Sequence, residues 1–407
     1  MKKIRAKAVI GAGYGDEGKG VLTDLLAAKT ADTVVVRSNG GAQAGHTVVT
    51  PQAVRHVFHH IGSGALAGAA THFSRHFVAH PMLLLDEWQA LRALGADLRL
   101  STDPRALVTT PFDVMINQAI ELARGQARHG STGVGFGETI ERNLRPEFRL
   151  TTQDLFKPDF GDRLRRIRAD WVATRLAALG VANIPAAIAE AMADDDVIER
   201  FTADCESYVA KVELWPDRRL GERGNLLFEA AQGLLLDQDY GAFPHVTRSN
   251  TGLRNMLQIA EEAGIGAIEA TYVTRCYTTR HGAGPLAGEI DDIVGIVVDD
   301  PTNAPNDWQG VLRLAPLDTE VLRKAIAHDV RLAAGTATEV AAGLAVTCLD
   351  QASGVLPIRN GAASERITPE EAAATIARHA ALPLFGQNWG PGRPDFRQSQ
   401  PVGLELA

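Results

Sequence analysis

Gly11-Ala12-Gly13-Tyr14-Gly15-Asp16-Glu17-Gly18-Lys19-Gly20 is the stretch on which the reading of this chain turns. It follows a short apolar run, Ala8-Val9-Ile10, and precedes an amphipathic stretch at 21–29 and a second apolar run, Thr33-Val34-Val35-Val36. That order reads as strand, glycine loop, helix, strand, the opening of a doubly wound α/β sheet. Glycines let backbone amides converge on an anion, a helix N-terminus adds partial positive charge, and Lys19 adds a full one. The loop is P-loop-like but not the common P-loop, because glycine rather than Ser or Thr follows the lysine. Asp16 is then the candidate magnesium ligand, since that ion takes hard oxygen donors and often one carboxylate together with substrate phosphates. A glycine turn that only opens a helix is the bland alternative; Asp-Glu-Gly-Lys-Gly together is more specific.

Outward from the loop, buried-strand signals recur at Leu226-Leu227-Phe228, Ala267-Ile268-Glu269-Ala270, residues 293–298 and Leu344-Ala345-Val346-Thr347. They predict an α/β fold with a large central, mostly parallel sheet and surrounding helices. Residues 160–213 change to alanine-rich, charged helix with Leu164, Ile167, Trp171 and Leu176 at three- to five-residue steps, which predicts a helical packing subdomain or dimer surface. Residues 383–407, rich in Pro, Gly and Asn, read as irregular surface structure.

The 407 residues carry a formal net charge of −8 and 45% hydrophobic residues, enough for a sizeable core. An acidic chain has no general affinity for nucleic-acid backbone or anionic membrane, so phosphate must be held locally. Three cysteines, Cys205, Cys276 and Cys348, stand far apart and in no CxxC spacing, which points to a reducing cytoplasm rather than a disulfide framework. No apolar run is long enough for a membrane span or a signal-peptide core.

Further polar glycine segments accompany the first. Arg37-Ser38-Asn39-Gly40-Gly41-Ala42-Gln43-Ala44-Gly45-His46-Thr47 places a histidine on a loop beside the phosphate site, where it can act as acid or charge stabiliser. Ser131-Thr132-Gly133-Val134-Gly135-Phe136-Gly137, Phe228-Glu229-Ala230-Ala231-Gln232-Gly233 and Pro244-His245-Val246-Thr247-Arg248-Ser249-Asn250-Thr251 offer hydroxyls and amides suited to a phosphate monoester and the edges of a base.

Six ordered blocks, GDEGKG at 15–20, AGHTVV at 44–49, STGVGFG at 131–137, LFEAAQGLLLDQDYGAFPHVTRSNT at 227–251, TTRHGAGPLAGE at 278–289 and VTCLD at 346–350, resemble adenylosuccinate synthetase over nearly the whole chain. The resemblance implies one domain of that type over 1–407, a cytoplasmic homodimer, and a ligase of purine biosynthesis. Such an enzyme joins L-aspartate to carbon 6 of a 6-oxopurine monophosphate through a 6-phosphoryl intermediate, with Mg2+ and GTP or ATP as phosphoryl donor. It implies Asp16 as general base, His46 as stabiliser of the transferring phosphoryl group, Lys19 as phosphate clamp, and magnesium between Asp16, the triphosphate and the carbonyl of Gly45. Gly15, Glu17, Gly18, Gly20, Gln43, Ser131, Thr132, Gln232 and Thr247 fall at nucleotide-binding positions, and Asp350 where the family reads guanine. Arg142 or Arg145 would reach across the dimer.

The chain departs from the family at 306–314, where Asn306-Asp307-Trp308-Gln309-Gly310-Val311-Leu312-Arg313-Leu314 keeps only Arg313 of the arginines expected to bind aspartate. Val311 stands where an arginine would approach the ribose 2-hydroxyl. Gln43 replaces an Asn beside the base, and Cys348 a lysine flanking Asp350. These departures resemble the divergent phage branch that acts on dGMP toward 2-aminoadenine nucleotides, although many of those relatives lack the aspartate at Asp16. IMP and dGMP both stand as substrate expectations. A P-loop-like nucleotide-binding GTPase would use the glycine loop and Asp350 but leave His46 and Gln232 without a role; an inactive regulatory paralogue fits the depleted arginine loop.

Overall fold

The structure is a computed structural model that describes residues 3–125, 131–181, 183–293, 295–298 and 311–399. Its centre is a ten-stranded sheet in the order Phe396–Gln398, Leu384–Asn388, Glu339–Thr347, Ile265–Arg275, Ile4–Gly11 (β1), Asn225–Glu229, Thr33–Arg37 (β2), Ala70–Phe73, Leu100–Thr102 and Val212–Leu214. Neighbours run parallel except the antiparallel pair at the first edge. In β1, Ala8 pairs with Phe228 on one side and Ala270 on the other. Strands this central are covered on both faces, which is why they read as near-continuous apolar runs. Helices Leu253–Ala263, Thr319–Arg331 and Pro369–Ala380 cover one face, and α1 (Lys19–Ala28) packs Leu22, Leu25 and Leu26 on the other. Because the strands are parallel, β1, β2, Asn225–Glu229, Ile265–Arg275 and Glu339–Thr347 all end at one edge, where the loops after them meet. Ligands of open α/β sheets bind at such an edge.

Two local readings of the sequence are corrected. Residues 293–298 form no ladder in the described part: Ile296 makes an isolated bridge to Ala352, Val297 N donates to Gln351 O, and residue 294 lies outside the described residues. Ile293 and Ile296 are apolar because they cap the core from an irregular segment. The tail is not wholly irregular, since Leu384–Asn388 and Phe396–Gln398 extend the main sheet as an edge hairpin. Phe396 is buried there, its ring held over Gly386, where a Cβ would come within 2.5 Å of the ring. The glycines and prolines serve the turn between the strands; residues 400–407 lie outside the described part.

The stretch at 160–213 holds helices Phe160–Arg166, Ala173–Ala178, Ala186–Ala193 and Asp195–Val209, with a wider turn at Ile167–Val172. Leu164, Ile167, Trp171 and Leu176 are buried in the same core as Phe73 and Phe112, so these helices form a layer over one half of the sheet. No helix among the described residues is long and apolar enough to cross a membrane.

Candidate active site

The glycine loop leaves β1 and enters α1 with Gly15 and Gly18 at φ of 101° and 84°, and Asp16 itself at 61°. That left-handed backbone suits glycine and costs an aspartate, a strain concentrated at functional sites. Gly18 is the N-cap of α1 and no side chain caps the helix, so first-turn amides are left without a side-chain acceptor. Inside the loop, the Glu17 carboxylate accepts from the amides of Gly13 (3.0 Å) and Gly15 (2.8 Å) and pairs with Lys19 Nζ (2.7 Å). Both side chains are buried. Two of the amides and the lysine expected to meet phosphate are therefore engaged by the chain's own carboxylate. Thr347 Oγ1 donates to Glu17 O at 2.8 Å and Arg275 Nε donates to Asp16 O, tying the loop to the strands beside it.

His46 opens a short strand, His46–Val49 (β3), which folds back on Arg55–Phe58 (β4) and lies over the first turn of α1. A Cβ on Gly20 would stand 2.7 Å from Thr47 O and 3.2 Å from the His46 Cβ, so glycine there admits the histidine strand. His46 Nδ1 lies 2.7 Å from Oε1 of Glu229, a wholly buried carboxylate that also takes Ser63 N at 3.1 Å and stands 3.7 Å from Arg37. Burial works to raise the Glu229 carboxyl, but the charges of His46 and Arg37 and the hydrogen bonds of His46 and Ser63 outweigh it and hold it at about 2. Burial pushes His46 below the usual imidazole range, against the pull of Glu229. An ionised Glu229 only accepts, so Nδ1 carries the proton and Nε2 is the nitrogen left for a substrate.

Two amides flank the Gly40–Gly41 turn. A Cβ on Gly40 would lie 3.3 Å from Gln232 Oε1, and one on Gly41 3.1 Å from Gln43 Oε1. The Gln232 oxygen and both amide atoms of Gln43 are buried with no hydrogen-bond partner among the described residues, and Gln232 has a φ of 58°. Buried amides are satisfied as a rule, so these await one. Gly45 is partly exposed between them and His46.

Ser131 and Thr132 are partly exposed ahead of helix Phe136–Asn143, with Ser131 Oγ 3.0 Å from Asn117 Nδ2. Thr247 is partly exposed, its amide bonded to Leu236 O. Asp350 is exposed in a turn at Leu349–Gln351. Arg313 is held by Glu289 and donates from one nitrogen to the carbonyls of Gly282 and Gly284, each at 2.9 Å. It braces a loop rather than presenting a free cation; Asn306 through Gly310 lie outside the described residues. The expectation that Arg142 crosses a dimer interface is corrected. Its guanidinium is wholly buried, 2.9 Å from Asp113, and donates to Phe148 O and Val108 O, so it cannot leave without exposing a buried carboxylate. Arg145 is exposed.

Two residues that the fold places beside His46 and Asp16 carry no assignment from the sequence. Glu229 was signalled only by a charge ending an apolar strand. His281, whose Nε2 lies 3.4 Å from Asp16 Oδ2, was one residue within a longer block.

Among the described residues no group of three or more His, Cys, Asp or Glu could hold a metal ion. Asp16 and Gly45 offer a carboxylate and a carbonyl, the kind of hard oxygen donors that magnesium takes together with substrate phosphates and water.

The sequence model for adenylosuccinate synthetase matches residues 8–351. The chain is 35% identical over 295 residues to adenylosuccinate synthetase of Chromohalobacter salexigens, covering 70% of this chain and 65% of that protein. To that of a Psychrobacter species it is 31% identical over 376 residues, covering 90% and 82%. The chain thus spans just under two thirds of the first of these relatives. Its fold matches fully ligated adenylosuccinate synthetase from Plasmodium falciparum with a TM-score of 0.73 at 17% identity, over 97% of this chain and all of that one. It also matches the succinoaminodeoxyadenylate synthetase of cyanophage S-2L, bound to dGMP and to dATP as an energy donor, with a TM-score of 0.62 at 15% identity, over 98% and 97%.

Proposed function

The chain belongs to the adenylosuccinate synthetase family, and from that premise we propose that it is a ligase joining L-aspartate to carbon 6 of a 6-oxopurine nucleoside monophosphate, driven by a nucleoside triphosphate. One observation carries the reading beyond phosphate binding: the unsatisfied buried amides of Gln43 and Gln232 stand at the Gly40–Gly41 turn, on the strand ends that also carry Asp16 and His46. A bare GTPase has no use for a second set of base-reading amides.

In this mechanism Asp16 takes the proton from ring nitrogen 1, and the 6-oxygen attacks the γ-phosphorus as the nucleoside diphosphate leaves. His46, fixed through Nδ1 by Glu229, meets the transferring phosphoryl group from Nε2. The aspartate amine then attacks carbon 6, loses a proton, and expels phosphate. Asp16 and Gly45 would hold Mg2+, which supplies neutralisation of phosphate charge. Glu17 holds the loop until Lys19 and the loop amides turn to phosphate. Ser131, Thr132 and Thr247 serve the monophosphate substrate and Asp350 the donor base. Arg145 is the arginine we assign to a partner subunit in a cytoplasmic homodimer.

IMP is the first substrate to test and GTP the first donor. A second reading, dGMP as substrate, is favoured by Val311, an aliphatic side chain 62% exposed where the resemblance expects a ribose-reading arginine. The test supplies IMP, GMP and dGMP separately with aspartate and either GTP or ATP and follows phosphate release. Release that requires both aspartate and a monophosphate supports the ligase. Equal release without the monophosphate makes the protein an NTPase, and no release makes it a paralogue without catalysis.

A further inference from the structure

Asp16 is held from two sides. Its backbone, in the left-handed region at a φ of 61°, receives Arg275 Nε on the carbonyl oxygen, which anchors the point from which the side chain projects. Its Oδ2 faces His281 Nε2 at 3.4 Å, and both side chains are mostly covered.

His281 follows strand Tyr277–Arg280 and opens a glycine turn that side chains tie down from several sides. Arg280, wholly buried, donates to Pro285 O at 2.9 Å, His245 O at 3.0 Å and Ala283 O at 3.1 Å, closing the turn on itself. Gly282 and Gly284 take φ of 68° and 112°, and their carbonyls are clasped by Arg313. Tyr14 of the phosphate loop joins the two loops: its ring lies 4.4 Å from the Arg280 guanidinium and its hydroxyl reaches Pro285 O at 3.4 Å. This network ends on one side chain pointed at Asp16.

We propose that His281 is a positioning residue for Asp16, donating from Nε2–H to Oδ2 so that Oδ1 faces the nucleotide, and that Arg313 serves the reaction by bracing the His281 turn. The inference rests on the reading of Asp16 as general base. Catalytic hydrogen bonds are often long in the free enzyme and tighten in the substrate complex, and 3.4 Å is one small closure from a bond. The role needs only an N–H at that point.

The experiment compares the full chain with His281→Leu, His281→Gln and Asp16→Asn, with whichever of IMP or dGMP supports turnover and with saturating triphosphate and aspartate. Glutamine keeps an N–H near the place of Nε2; leucine keeps bulk alone. His281→Leu is expected to lower kcat by about tenfold to a hundredfold, as misplacement of a reacting group does, with the triphosphate KM little changed, while His281→Gln stays within about threefold of the parent. Unfolding temperatures of the variants identify any loss that is merely structural. A His281→Leu enzyme at parental kcat, or leucine and glutamine variants equally slow, overturns the positioning role. Loss of turnover in Asp16→Asn upholds the underlying reading even then, whereas an active Asp16→Asn removes the reading and the proposal together.

Discussion

Glu229→Gln is the substitution that weighs most on both stability and chemistry. The carboxylate is wholly buried, 2.7 Å from His46, 3.7 Å from Arg37, and bonded to the Ser63 amide. Glutamine keeps the shape but leaves Arg37 as a buried cation whose other partners are the carbonyls of Ile61 and His59. Removing one member of a buried charge pair costs about 3–5 kcal/mol, or roughly 4–6 °C of unfolding temperature in a chain of this length. The pH dependence is the sharper test. With its folded pKa at about 2 against an ordinary 4.5, Glu229 contributes stability that is fully present above pH 4.5 and is lost as pH falls toward 2, about 3 kcal/mol in all. His46, lowered from 6.5, works in the same direction, because the unfolded chain takes up its proton first as pH falls. Scanning calorimetry of both proteins from pH 7 to pH 3 should show the parent above the variant at neutrality and the gap narrowing below pH 4.5. A constant gap, or a variant within a degree of the parent at pH 7, would refute the account of an ionised Glu229 holding the site.

Asp16→Asn is expected to lower turnover by roughly two to four orders of magnitude through loss of the general base, with the unfolding temperature little changed because the side chain is partly exposed; retained turnover in a steady-state assay counts against the role. His46→Ala should lose turnover as heavily but also stability, since it strips a partner from Glu229. Val311→Arg should shift the ratio of kcat/KM for GMP over dGMP toward the ribonucleotide by roughly tenfold to a hundredfold, the worth of a charged hydrogen bond to a hydroxyl; a strong ribose preference already present in the unmodified protein would assign that reading elsewhere. Arg142→Ala should unfold early, by about 3–5 kcal/mol, because Asp113 is left as a buried carboxylate without its cation, whereas Arg145→Ala should fold normally and lose activity, restored in part by mixing with an Asp16→Asn subunit; failure of such complementation refutes the cross-subunit role.

The sequence by itself determined the phosphate loop, the strands around it and the family. Those signals are local: glycines at positive φ, a lysine at a helix start, and apolar runs at Ala8, Val34 and Leu344 that only a strand buried on both faces needs. It misread 293–298 and the strands at Leu384 and Phe396, because hydrophobicity says that a segment is buried, not whether a neighbour offers it a ladder. Side-chain partnership was beyond it altogether. A parallel sheet joins strands far apart in the chain, so Glu229 reaches His46, and His281 reaches Asp16, only when several crossovers are complete. The same holds for the arginines: Arg142 and Arg145 have one charge and neighbouring positions, and only packing buried the first against Asp113 and left the second in solvent.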